Sequence, residues 1–202
     1  SIFIPSLTDF VNGVDPSWPP IMDVVRNQFG MLLVDGLSML EERVVAKIHR
    51  QLRGIPLIGG SAGDGLNFEK SYIYHRGRFH SNAAAVGIFA TNLPFKTFHY
   101  QHFTPTNVKL VITDANVATR TVFEINGMPA AAEYARIVGV SVEELAPPVF
   151  AAHPIMLKIG GEYYVRSIQK ANEDGSLTFY CAIEKGLVLT LAQSGQLSEK
   201  LD

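Results

Sequence analysis

Residues 31–60, MLLVDGLSMLEERVVAKIHRQLRGIPLIGG, decide the fold class. The first six, MLLVDG, are a short apolar run of the buried-strand type, closed by Gly36. Ser38 stands three residues before Glu41, the spacing of a capping box, so a helix is expected from there to about Arg53. Leu40, Val44, Val45, Ile48 and Leu52 recur at steps of one, three or four and give that helix one apolar face. Gly54 suits its C-terminal stop. IPLIGG (55–60) is then a second apolar run. Strand, helix and strand in this order make a βαβ unit with a parallel pair.

Working outward, residues 19–29 read as a helix. Asp15 and Ser17 are its candidate caps, proline lies in its first turn, and Gly30 ends it. Beyond the βαβ unit the character changes. Residues 71–75 and 78–90 read as strands about a turn at Arg76-Gly77, and 95–103, 108–113 and 117–125 as further strands. Asn126-Gly127 is a turn, and 129–138 a short helix stopped by Gly139. Ser141 with Glu144 repeats the capping-box spacing and opens a brief helix before Pro147-Pro148. Strands follow at 155–159, 163–170, 177–183 and 187–192, with turns at Gly160-Gly161 and Asp174-Gly175. The expected class is α/β to α+β: mixed sheets with the βαβ unit in the N-terminal half, and mainly antiparallel strands in the C-terminal half. The loop at 104–107 is the expected seam.

The composition narrows the function. A 47% hydrophobic content with 18% charged residues is that of a folded chain, which excludes intrinsic disorder. A net charge of -2 over 202 residues gives no electrostatic footprint for nucleic acid or an anionic membrane. The single cysteine, Cys181, excludes a disulfide framework and a cysteine-rich zinc site; within an apolar strand it reads as a small buried hydrophobe. Uncharged apolar stretches such as 83–90 and 186–192 fall short of the ~20 residues of a spanning helix. The opening SIFIPSLTDF lacks the basic and apolar regions of a signal peptide, so the cytoplasm is the expected location.

The most unusual local feature is GGSAGDG (59–65), directly after an apolar strand. Its glycines let the backbone approach a ligand closely, and its N–H groups suit a carboxylate or phosphate. Gly60, Ser61 and Asp64 are its candidate binding residues. It is no Walker loop, because no Gly-Lys-Ser/Thr follows, and no dinucleotide fingerprint, because the glycine spacing differs. Ser61 matches G-x-S-x-G in letters only, since a hairpin and not a helix comes next. Arg166, in the apolar strand YYVRSIQ, either turns outward or faces a pocket and pairs with an anion. Six histidines are present, and none has a zinc spacing; a single one suffices as an axial haem ligand. His99 and His102 are an odd number apart on one expected strand, so they face opposite sides. No acid–base pair or catalytic triad stands in a credible context, and the expectation is a protein that is not an enzyme.

The stretch from LLVDGLSMLEERVV through GIPLIGGSAGDG to AAAVGIF resembles the later part of the N-terminal half of a FIST domain. VFEINGMPAAAEYARIVG (122–139) and YYVRSIQKANEDGSLTFYCAIEKGLVLTLA (163–192) are similar to its C-terminal half. The resemblance covers 31–192. It assigns 1–106 to the later part of the first half and 107–202 to the beginning of the second. FIST members are usually longer, so it also implies a portion of a larger domain, with sheet edges left open for a homo-oligomer. Functionally it implies a sensory module that binds a small molecule and signals to a histidine kinase, a cyclic-dinucleotide enzyme or a chemotaxis protein, with neither nucleic acid nor membrane as partner. The alternative it carries is a haem-binding nitric oxide sensor. His102, in HFTPT, would then be the axial ligand, with His80 as the substitute. A serine hydrolase built on Ser61 and a scaffold that binds only protein complete the set of readings.

Overall fold

The computed structural model describes residues 1–18, 27–65, 67, 69–98 and 101–194. The chain divides into two compact units, Ser1–His99 and Tyr100–Asp202.

The first unit contains β1 (Ile2–Ile4), α1 (Leu7–Val11), β2 (Asn27–Asp35), α2 (Glu41–Leu52), β3 (Leu57–Ala62), β4 (Ile73–His75), β5 (Arg78–His80) and β6 (Ala84–Thr91). The four longer-range strands form a mixed sheet in the order β1-β6-β2-β3. β2 runs parallel to β3, as the βαβ reading requires, and antiparallel to β6 on its other side. The sheet forms because β2 alternates: Leu32 and Val34 are buried, whereas Met31 and Leu33 stand on the opposite, exposed face. Val44, Ile48 and Leu52 of α2 repeat every four residues and pack with Leu32, Val34, Phe10 of α1 and Val86 of β6 into one core.

Several expectations are corrected here. Residues 27–29, read as the end of a helix, are strand, held by pairing with Phe89–Thr91 at the far end of β6; the rest of that expected helix, 19–26, lies outside the described residues. The capping box before α2 does not form, because the helix starts two residues later. Ser38 instead donates its hydroxyl to Asp35 O at 2.8 Å and accepts from the Leu40 N–H at 3.3 Å. The stop comes one residue early, at Arg53, whose φ of 49° already leaves the helix. The run 78–90 breaks at Asn82, with φ 49°, so β5 belongs to a two-stranded hairpin with β4 and not to the sheet. The hairpin turn is at Arg76-Gly77, where both φ angles are positive as a two-residue turn demands. Residues 95–98 form no strand, and His99 lies outside the described residues.

The second unit runs β7 (Phe103–Asn116), β8 (Thr121–Ile125), β9 (Met128–Pro129), α3 (Ala130–Val138), a 3-10 turn (Val142–Glu144), α4 (Pro147–Ala152), β10 (Ile155–Ile159), β11 (Glu162–Arg166), β12 (Ile168–Ala171), β13 (Leu177–Phe179) and β14 (Val188–Ser194). Its main path is β11-β10-β14-β7-β8-β13-β12, every pair antiparallel. β11 and β12 lie at opposite ends of this path, yet only Ser167 separates them in the chain. The sheet therefore curls until its two ends meet, which is why the run 163–170 is two strands and not one. Inside the curl lie Leu110, Ile112, Ile155, Leu177 and Leu189, covered by Tyr134 of α3 and Phe150 of α4. Glu144 accepts the Ser141 N–H at 2.8 Å, as its spacing foretold. The helix expected to end before Pro147 is followed by another that begins there, since proline at the first position has no N–H to lose. Among the described residues no helix is long and apolar enough to cross a membrane.

Candidate functional site

The glycine-rich stretch is strand for most of its first half, not loop: Gly59, Gly60 and Ser61 belong to β3, at the edge of the first sheet. Its hydrogen-bond phase follows from its two ends. Gly30 N–H donates to Pro56 O at 2.8 Å, and Gly36 N–H donates to Ala62 O at 3.1 Å. In a parallel ladder, alternate residues turn both backbone groups to the same side. With the register between these two bonds, Ile58, Gly60 and Ala62 face β2, and Leu57, Gly59 and Ser61 present theirs to the open edge. Glycine at 59 is required by close approach: a Cβ there would stand 2.0 Å from Leu32 O, whereas at Gly60 it would meet nothing within 4 Å.

Beside this edge is a cleft of about 240 Å³. Leu32 and Val34 of β2 form its floor, Glu41 and Val45 of α2 one side, and residues 57–61 of β3 the other. It combines apolar side chains with the carboxylate-bearing Glu41 and the hydroxyl-bearing Ser61. Gly60 and Ser61, chosen from the sequence, both line it; Asp64 does not appear in its lining. The Asp64 carboxylate accepts from the N–H groups of Glu69 at 2.7 Å and Lys70 at 3.0 Å, closing its own loop. Sequence reasoning missed Glu41 and Val45 as lining residues. Val45 sits one position off the buried 44/48/52 line and is 40% exposed, which is the signal that separates a cleft wall from a core position.

Sequence reasoning also missed Asp35, a buried carboxylate at the end of β2. It accepts from the Leu37 N–H at 3.0 Å, from the Asn82 N–H at 2.5 Å and from the Ser71 hydroxyl. It ties the sheet to both ends of the β4–β5 hairpin. An Asp before a Gly at a strand end was its only trace in the sequence.

The remaining candidates lie elsewhere. His80, on β5, packs against Phe3 with ring centroids 4.7 Å apart, and His75 stacks on Phe3 at 4.2 Å. Loss of hydration lowers the pKa of His75, helped by the charges of Arg76 and His80. The His102 ring lies 3.9 Å from that of Phe103. Neither His80 nor His102 lines the cleft. Arg166 belongs to the second unit, as the last residue of β11. Cys181 is partly buried against the second core. Among the described residues, no group of three or more His, Cys, Asp or Glu is placed to hold a metal ion.

A helix-covered mixed sheet with a glycine-built edge cleft, followed by a curled antiparallel sheet, defines a bipartite α/β module. It is not a doubly wound nucleotide-binding fold, whose strands would be mainly parallel. The comparison with protein families makes this specific. Residues 7–128 match the FIST N domain and residues 130–202 the FIST C domain, so the chain belongs to the FIST family, whose domains are sensory domains of signal transduction. The first match runs past the division between the compact units and includes β7 and β8. The chain is also similar to an uncharacterized protein of Methanocaldococcus jannaschii, 24% identical over 192 residues. That alignment covers 87% of this chain and 36% of the relative, so the chain spans about a third of the relative's length. No solved structure matches the chain significantly.

Proposed function

We propose that the chain senses a small polar molecule, which it takes into the cleft between α2 and β3, and that it passes the signal to a partner protein without catalysing a reaction. The observation that carries this reading is the cleft itself. Its volume equals about eight waters at ~30 Å³ each, which suits a metabolite the size of an amino acid. Glu41 supplies a negative group for an ammonium, and the edge N–H groups of Gly59 and Ser61 supply donors for a carboxylate or carbonyl. Ser61 lies within a strand, and among the described residues of 63–72 no helix follows, so the context that activates a serine in a nucleophile elbow is not the one found.

The test is a thermal-shift screen of free amino acids and short organic acids, repeated with Val45→Trp, which fills the cleft from its exposed wall. A true ligand at 100 times its dissociation constant stabilises the chain by ~2.7 kcal/mol, and Val45→Trp removes that gain. A panel without a stabilising member, or a gain that survives Val45→Trp, refutes the cleft as the sensory site. Haem is added in parallel. A Soret band that disappears in His80→Ala or His102→Ala would replace this reading with the haem one.

A further inference from the structure

The two edges of the first sheet differ. On one side it ends in β1, a strand of three residues, and so short an edge offers little to pair with. On the other it ends in β3, six residues of sequence LIGGSA. This strand carries no charge and no proline, and its register on β2 runs unbroken from Leu57 to Ala62, so no bulge twists it away. Charge, proline, bulges and shortness are the means by which an edge strand is kept from pairing, and β3 has none of them. Leu57, Gly59 and Ser61 turn their N–H and C=O groups outward, and residues 58–61 are all exposed.

These outward groups are symmetric about Gly59. An antiparallel copy laid along the edge sets Gly59 against Gly59 and Leu57 against Ser61, each pair exchanging both backbone bonds. Between them Ile58 falls opposite Gly60, on one face of the sheet. Ile58 is an exposed apolar side chain, and a Cβ at Gly60 would meet nothing within 4 Å, so a projection on one copy meets a gap on the other. Beside Gly60 on β2 stands Leu33, also exposed. The row Met31–Ile58 of one copy therefore continues into Gly60–Leu33 of the second.

Helix α2 repeats the symmetry. Glu41, Glu42, Val45, Ala46, His49 and Arg50 line one open hollow on it. Glu41 and Val45 also line the cleft against β3, so this is the side of the helix toward the edge. It is acidic in the first turn, apolar in the middle and basic in the last turn. A two-fold axis through Gly59 turns the acidic first turn of each α2 toward the basic last turn of the other. Complementarity of a patch to itself is what an isologous interface requires.

From this we infer that β3 is the pairing edge for a second copy of this chain, the four strands of each copy joining antiparallel about Gly59 into one continuous sheet, with α2 facing α2. The N–H groups of Gly59 and Ser61 are those assigned above to the small molecule, so ligand and second copy exclude each other. That exclusion rests on the small-molecule reading, whereas the pairing does not.

The experiment is sedimentation equilibrium of the full chain, without added ligand, over a range of concentrations. The unaltered chain is expected to show a monomer–dimer equilibrium. Glu42 and Arg50 lie on the exposed side of α2 and outside the cleft lining. Glu42→Lys and Arg50→Glu should each raise the dimer dissociation constant at least about tenfold, because like charges then face each other. Mixed in equal amounts, the two variants should recover the dimer, since a mixed pair again sets opposite charges at both ends. Ile58→Lys, which puts a charge on the edge, should abolish it. A chain that is monomeric at every concentration, a dimer indifferent to Ile58→Lys or to the α2 variants, or a mixture as weak as either variant alone would overturn the inference. The charge-swap comparison uses exposed helix positions, so it decides the matter even where Ile58→Lys folds poorly by circular dichroism. A thermal-shift gain that Val45→Trp removes, in a chain that stays monomeric, would leave the small-molecule reading standing and overturn this one.

Discussion

Gly59 and Gly60 are neighbours on the same strand, and the same substitution at each should move stability in opposite directions. At Gly59 an added Cβ would lie 2.0 Å from Leu32 O, 2.8 Å from Leu32 C and 3.0 Å from Leu32 N. All three are backbone atoms, so no side-chain rotation relieves the clash. Strand β3 must move away from β2 by more than an ångström, and the ladder that joins residues 57–62 to 30–35 opens locally. Loss of two or three backbone hydrogen bonds at ~1 kcal/mol each gives a cost of about 2–3 kcal/mol. At Gly60 the new methyl meets open space and the backbone is outside the left-handed region. There Gly60→Ala should gain ~0.4–1 kcal/mol, because alanine restricts the unfolded chain. The single tryptophan, Trp18, packs against the first core, so its fluorescence in a urea titration reports this unit alone. With a slope of ~1–3 kcal/mol per molar urea, the two variants should have midpoints separated by roughly 1–3 M. A Gly59→Ala protein as stable as the unaltered chain, or a Gly60→Ala protein that loses more than Gly59→Ala, would refute the close approach on which the edge of the cleft depends.

Glu133 of α3 accepts from Arg136 Nε at 2.7 Å, from Arg136 Nη2 at 2.9 Å and from Asn126 Nδ2 at 2.9 Å. The hydrogen bonds from Arg136 and then Asn126 hold its pKa near 2, below the ordinary 4.5, although burial opposes them. A folded pKa below the unfolded one means that the stabilisation is complete above about pH 4.5 and is lost as pH falls through 2. The second unit of Glu133→Gln should therefore show a flatter stability profile between pH 5 and pH 2, measured by denaturant midpoints from circular dichroism; an unchanged slope would count against this carboxylate as the acid-sensitive group. Asp35→Ala should leave the Leu37 and Asn82 N–H groups and the Ser71 hydroxyl without their acceptor, at a cost of about 3 kcal/mol or more. The Trp18 transition should move to lower urea by at least about 1 M, and a shift under half of that would show that the hairpin reorganises around the loss.

The fold was legible where local pattern and tertiary demand agree. The 44/48/52 stripe, the apolar runs around it and the turns at Arg76-Gly77, Asn126-Gly127 and Asp174-Gly175 each specify one conformation by themselves, and the structure keeps them. The misreadings fall where pairing with a distant strand overrides local signal. Nothing within 27–29 announces a strand; its partner is Phe89–Thr91, some sixty residues away. The break at Ser167 is invisible in YYVRSIQK for the same reason, since only the closure of the curled sheet requires it.

The candidate site divides along the same line. The glycines of 59–65 could be recognised because four in seven residues let a backbone come close to something else, although they were expected in a loop and 59–62 are strand. Which of them matters could not be read, because the answer is the position of Leu32 O against Gly59 and the openness at Gly60. Glu41 was read as a capping residue, and the helix start two residues later gives it to the cleft instead. Arg166 is the sharper case. Its apolar neighbours raised two outcomes, outward or inward, and a strand's alternation alone does not choose between them when both faces of its partner are buried, as they are at Ile155 and Met156. The choice is made by register: opposite Ile155 it shares the core face, and one residue of slip would put Val165 there and turn the arginine to the other side. The register of β11 on β10 is fixed by the turn at Gly160-Gly161, both at positive φ. A single hairpin turn thus determines which face of the sheet carries Arg166.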